Sequence, residues 1–147
     1  MEIKFTKQEL LELVREEVSR LGAVMATEQG ASLYDALRIT SRDEDAIARM
    51  ISEAKSTMKT QCHRFLTHTK SDSTDSVIFS LNGSERRFDG KQDIITTYLQ
   101  QIMTNMVVLK YLQSKTLSEA AKSYDEKAAA MIELLSSNLY TKLPPKK

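Results

Sequence analysis

The fold of this chain is decided by residues 93–113, which read DIITTYLQQIMTNMVVLKYLQ. The apolar side chains of this stretch recur at spacings of three and four residues, so they share one wide face of an α-helix. Asp89 is a suitable N-cap for that helix, because its carboxylate can accept a hydrogen bond from a free backbone N–H. We therefore predict a central helix against which the rest of the chain packs. Its apolar face contains Ile94, Ile95, Tyr98, Leu99, Ile102, Met103, Met106 and Val107.

Three further helices are predicted by capping boxes, in which a Ser or Thr is followed three residues later by Glu. The two side chains of such a box satisfy backbone N–H groups that have no partner in the first helical turn. An apolar stripe at helical spacing follows each box. The sequence therefore predicts helices over about 6–26, 41–66 and 116–140.

A β-hairpin is predicted around Asn82-Gly83, the dipeptide best suited to a type I′ turn because both positions tolerate positive φ. It is flanked by the segments 77–81 and 84–88. A two-stranded hairpin is marginal by itself in water, so its apolar face needs a partner. The predicted fold class is mainly α, a bundle of about four amphipathic helices with a β-hairpin over 77–88 inserted between helices 2 and 3.

The hairpin is also the main candidate for contacts with other proteins. In the two-residue register Val77 pairs with Phe88, and Phe79 pairs with Arg86. Either the two Phe rings cover the helices of the same chain, or they fill a pocket of a neighbouring subunit, where Arg86 and Arg87 suit carboxylate partners. The interface candidates are Phe79, Leu81, Arg86, Arg87, Phe88, Lys142, Lys146 and Lys147.

Length and composition favour a single domain. A chain of 147 residues with 41% hydrophobic residues, 4 Gly and 2 Pro can bury one core. We assign residues 1–140 to the helical domain and residues 141–147 to a basic tail that is predicted to be mobile. The N-terminus has no basic region followed by an apolar run, and no apolar stretch of about 18 residues occurs. We expect a chain that is neither secreted by a standard signal nor membrane-spanning.

The charge balance disfavours nonspecific binding to nucleic acid. The 21 Lys and Arg residues against 20 Asp and Glu residues give a net charge of +1, which creates no strong long-range field. Arg86, Arg87 and Lys91 form a local basic cluster beside Phe88, but such a cluster is a weak signal for contact with DNA.

No constellation of residues typical of catalysis is found. Cys62 is the single cysteine, and His63 follows it directly, so on a helix the two side chains point about 100° apart. His63 and His68 are five residues apart, which does not aim them at one metal ion. The acidic run at 43–45 lacks the spacing of a calcium loop and is explained by helix-start electrostatics. We predict a core thiol, no enzyme activity, no metal and no cofactor.

Residues 32–47 read SLYDALRITSRDEDAI, and residues 50–54 read MISEA. This segment resembles the head-tail connector proteins of tailed bacteriophages and prophages, in which a leucine-x-isoleucine element precedes a helix with an acidic start and an apolar-apolar-x-x-alanine stripe. The resemblance implies a small α-helical subunit that forms a ring, commonly of twelve copies, between the portal and the tail. The implied partners are the chain itself, the portal and tail proteins. The implied location is the neck of the virion, which is assembled in the bacterial cytoplasm.

The alternative is a free-standing helical module that binds another protein, for example a regulator. A ring subunit assembles alone or on a portal, whereas a regulator stays monomeric or dimeric, so the mass in solution separates the two classes. The resemblance supplies no catalytic residues, and an enzyme is the third class.

Overall fold

The computed structural model describes residues 2–29, 39–62, 66–67, 76–81, 90–115 and 117–139. Their four helices contain 23, 18, 23 and 22 residues, which is more than half of the 147-residue chain, so the prediction of a mainly α-helical fold with four helices is confirmed. The elements in chain order are β1 (Glu2–Thr6), α1 (Lys7–Gln29), a 3₁₀ turn (Ser41–Asp43), α2 (Glu44–Gln61), β2 (Leu66–Thr67), β3 (Ser76–Leu81), α3 (Gln92–Ser114) and α4 (Ser118–Leu139).

Helix α1 begins with the predicted capping box. The Thr6 hydroxyl accepts a hydrogen bond from the Glu9 N–H at 3.1 Å, and the Glu9 carboxylate accepts one from the Thr6 N–H at 3.4 Å. Three residues of the predicted stripe, Leu10, Val14 and Val18, are buried. The box therefore starts the helix, and the stripe fixes which face of α1 meets the core.

Helix α2 is shorter than predicted at both ends. The capping box forms one residue earlier than predicted and caps the 3₁₀ turn Ser41–Asp43, because the Asp43 carboxylate accepts a hydrogen bond from the Thr40 N–H at 2.9 Å. Helix α2 begins only at Glu44. The Glu44 carboxylate binds Arg15 of α1 at 3.1 Å instead of closing the predicted box. At the other end, Leu66 belongs to β2 and not to the helix.

The three strands form one antiparallel sheet in the order β1-β3-β2. Ile3 pairs with Phe79 and Phe5 pairs with Val77, so the strand that precedes the first helix is the main partner of β3. All four side chains are buried, because the sheet packs one face on the helices. The sheet therefore includes a strand that precedes the first helix, whereas the prediction placed its strands only between helices 2 and 3.

The predicted hairpin pairs β3 with the segment 84–88, and this pairing is wrong at Ser80. This residue has a strand neighbour on each side, Glu2 in β1 and Thr67 in β2, so no third strand can pair with it. The sequence pattern identified β3 as a strand but not its partners, because the partners are set by long-range packing. Residues 82–89, which contain the predicted turn and the second hairpin strand, lie outside the described residues.

Helix α3 is the central helix, as predicted, and it packs against α1, α2 and α4. Ile94 is the exception to its predicted apolar face, since 44% of this residue is exposed. The Leu117 N–H donates to the Leu112 carbonyl at 3.0 Å in the short connection that returns the chain along α3 as α4. The buried residues of α3 are Ile95, Leu99, Ile102, Met103, Met106, Val107, Val108, Tyr111 and Leu112.

Among the described helices, none has the length and apolarity that a membrane crossing requires.

Candidate interaction surface

The single cysteine lies in the core, as predicted. Cys62 follows α2 directly and is 1% exposed. Burial raises the pKa of the Cys62 thiol to about 11, because the thiolate loses its hydration there. A thiol of this kind is protonated at neutral pH and is a poor nucleophile. His63 and His68, the other two residues of this group, lie outside the described residues.

The acidic run at 43–45 acts at the start of a helix, as expected. Asp43 caps the 3₁₀ turn through the Thr40 N–H, and Glu44 forms the ion pair with Arg15. Within the described ranges, no group of three or more His, Cys, Asp and Glu side chains is arranged to hold a metal ion.

Two of the predicted interface residues, Phe79 and Leu81, are buried in the chain's own core. Phe79 is 1% exposed and makes an edge-to-face contact with Phe5, with 6.1 Å between the ring centroids. Leu81 is 5% exposed. This packing supports the alternative in which the Phe79 ring covers the helices of the same chain. The remaining candidates, Arg86, Arg87, Phe88, Lys142, Lys146 and Lys147, lie outside the described residues.

A buried lysine lies beside Phe79 and was not predicted from the sequence. Lys55 of α2 is 3% exposed, and its Nζ lies 5.7 Å from the centroid of the Phe79 ring. The spacing in the sequence indicates this burial, because Lys55 follows the buried Ile51 by four residues and precedes the buried Met58 by three. The long aliphatic stem packs in the core while the charge meets an aromatic face.

A cleft of about 470 Å³ lies between α1, α3 and α4. Amide, hydroxyl and charged side chains dominate its lining, so it differs from the apolar interior on the other side of α3. The lining residues are Leu13, Glu16, Glu17, Arg20, Gln100, Gln101, Thr104, Asn105 and Lys127.

A hydrogen-bond network joins α1 to α4 at the floor of the cleft. The Tyr124 hydroxyl donates to the Glu17 carboxylate at 2.7 Å, and the Arg20 guanidinium binds the same carboxylate oxygen. Burial, followed by the hydrogen bond to Glu17, raises the pKa of Tyr124, so the phenol keeps its proton at neutral pH. The Lys127 Nζ lies 4.5 Å from the centroid of the Tyr124 ring. These contacts hold α1 and α4 in a fixed arrangement around the cleft.

Two charged groups at the cleft lie outside the ion pair of Glu17 with Arg20. Glu16 and Lys127 are both exposed, and neither forms an ion pair with another residue in the described part of the chain. The cleft thus offers one carboxylate and one ammonium group, together with the amides of Gln100, Gln101 and Asn105.

Two exposed apolar residues lie at the end of the α3 and α4 pair that is remote from their connection. Ile94 precedes Gln101 by seven residues and Leu134 follows Lys127 by seven, a spacing that brings side chains to nearly the same side of a helix. Ile94 is 44% exposed and Leu134 is 48% exposed. We call the surface formed by Ile94, Gln101, Lys127 and Leu134 the α3-α4 strip.

Comparisons of the chain with protein-family models, curated proteins and solved structures find no match.

Proposed function

We propose that the protein is a structural assembly protein, a subunit of the head-tail connector that links the portal to the tail in a tailed bacteriophage. The support from the sequence is the resemblance of residues 32–54 to that family. The observation that carries the proposal is the α3-α4 strip, where Ile94 and Leu134 remain half exposed beside a cleft lined by amides and charges of both signs. Surfaces with an apolar centre and a polar surround are typical of contacts between proteins.

The chemistry of the described residues fits this proposal better than it fits catalysis. A general acid or base needs a pKa near the working pH, and a nucleophile needs a group that activates it. The pKa values of Cys62 and Tyr124 are both raised above their ordinary values, and so they are shifted further from neutral pH. Both side chains are therefore protonated at neutral pH, which makes them poor nucleophiles and poor bases.

Purified particles of the phage or prophage that encodes the chain provide the test. Mass spectrometry should find the protein in the particles, in the copy number of a neck ring. Deletion of its gene should leave filled heads and free tails that do not join, and expression from a plasmid should restore infectivity. Intact infectious particles without the protein, or its absence from wild-type particles together with a stable complex with a non-structural protein, would favour the regulator instead.

A further inference from the structure

The exposed apolar residues of the described chain are concentrated on the α3-α4 strip. Ile94 and Leu134 are the large hydrophobic side chains that stay exposed in the described ranges, and they occupy the same end of the α3 and α4 pair. A contact of the strip with the same strip of a second copy sets apolar against apolar, which removes both from water.

The charges beside the strip are also self-complementary. Glu16 on α1 and Lys127 on α4 lie at the same cleft, carry opposite charge and form no ion pair within the described chain. A two-fold axis exchanges the two positions between copies, so one contact creates the pair Glu16 with Lys127 twice. The amides of Gln100, Gln101 and Asn105 can donate and accept across the same contact.

We propose that a second copy of this chain docks on the α3-α4 strip through a two-fold contact, with Ile94 of one copy against Leu134 of the other. The pairs between Glu16 and Lys127 border this contact on both sides. The strip and its charges also support the assembly role proposed above, but the two-fold contact does not require the connector assignment, because a regulator can dimerise in the same way.

Light scattering on the purified full chain over a range of concentrations tests the proposal. The wild-type chain should show twice the mass of one chain, and the double variant Ile94→Glu with Leu134→Glu should be monomeric, with a dissociation constant raised at least about tenfold. The matched control is Lys122→Gln with Ala129→Glu, which changes the net charge by the same two units at exposed positions of α4 outside the strip. Circular dichroism melting should give folded protein for both variants, because the changed side chains are already exposed.

A charge exchange gives a second, independent readout. Glu16→Lys and Lys127→Glu should each weaken association, since each places like charges in contact. The combined variant should recover most of the wild-type affinity, because the pair is rebuilt with its signs reversed. This rescue is specific to a direct contact between the two positions.

Three results would overturn the proposal. The first is a wild-type chain that stays monomeric at the highest concentration measured. The second is an oligomer of any size that the Ile94→Glu, Leu134→Glu variant leaves intact. The third is a combined charge variant no better than the two single ones. Detection of the protein in phage particles is unaffected by each of these results, so the connector assignment and the dimer can fail separately.

Discussion

The sheet side and the cleft side of the helical body differ in the exposure of their apolar residues. On the sheet side Phe79 is 1% exposed and even Lys55 is buried, because β1, β3 and α2 close over them. On the cleft side Leu134 is 48% exposed, because no described element covers the end of α3 and α4. The comparison teaches that the elements opposite an apolar residue, and not its own sequence pattern, decide between a core and an interface.

The largest expected effect is a difference in unfolding free energy between a substitution on the sheet side and one on the cleft side. Phe79→Ala should lower the free energy of unfolding by about 3–5 kcal/mol, since it leaves a cavity beside Phe5 and Lys55. Leu134→Ala should change it by about 0.5 kcal/mol or less, because the side chain is already half in water. Urea unfolding of dilute, monomeric protein measures both. Equal losses for the two variants would remove the distinction between the sides.

The contact between α1 and α4 should have an intermediate effect. Tyr124→Phe removes the hydroxyl that donates to Glu17 and should lower the free energy of unfolding by about 1–2 kcal/mol, as expected for a hydrogen bond to a partly buried carboxylate. Tyr98→Phe is the control, because the Tyr98 hydroxyl makes no hydrogen bond within the described chain. If both substitutions cost the same, the network does not hold the floor of the cleft.

The capping box at Thr6 lies between the sheet and α1 and has a smaller expected effect. Thr6→Ala should lower the free energy of unfolding by about 1 kcal/mol, because the Glu9 N–H loses its acceptor. Thr6→Ser keeps the hydroxyl and should retain most of the stability. A Ser variant as unstable as the Ala variant would show that Thr6 acts through strand packing and not through the cap.

The last effect concerns Cys62, is absent at neutral pH and appears only in alkaline solution. Its pKa is raised from 9.0 to about 11 by burial, so between these pH values the folded chain holds a proton that the unfolded chain has lost. The free energy of unfolding should therefore fall as the pH rises from about 9 to about 11. Cys62→Ala should show a shallower fall over this range. Denaturant titrations at several pH values compare the two proteins, and identical slopes would contradict the assigned burial.

Local signals in the sequence were sufficient for the helices. The box at Thr6 and the stripe from Leu10 to Val18 placed α1 correctly, because a cap and a periodic apolar face are both encoded within a few turns. At α2 the predicted cap was wrong, because the pattern of Ser or Thr followed three residues later by Glu selects Ser41 with Glu44, whereas the observed box is Thr40 with Asp43. The Glu44 carboxylate instead binds Arg15 of α1, a tertiary contact that a single sequence does not reveal.

The sheet and the candidate surface depended on contacts that a single sequence does not encode. β1 was not predicted, although Ile3 and Phe5 alternate with polar residues, because five residues give too little periodicity. Ile94 was assigned to the core face together with Ile95, since two adjacent apolar residues on a helix do not reveal which of them is covered. The exposed member of this pair is the one on which the proposed dimer depends.

The pairing of β1 with β3 has a consequence for synthesis on the ribosome. Ser76 follows Thr6 by about 70 residues, so at 5–20 residues per second β1 waits on the order of 4–15 s for its partner strand. During that interval Ile3 and Phe5 have no sheet to join and are open to chaperones. A fusion joined directly before Glu2 would extend this exposed segment, which makes the opposite end of the chain the better place for a purification tag.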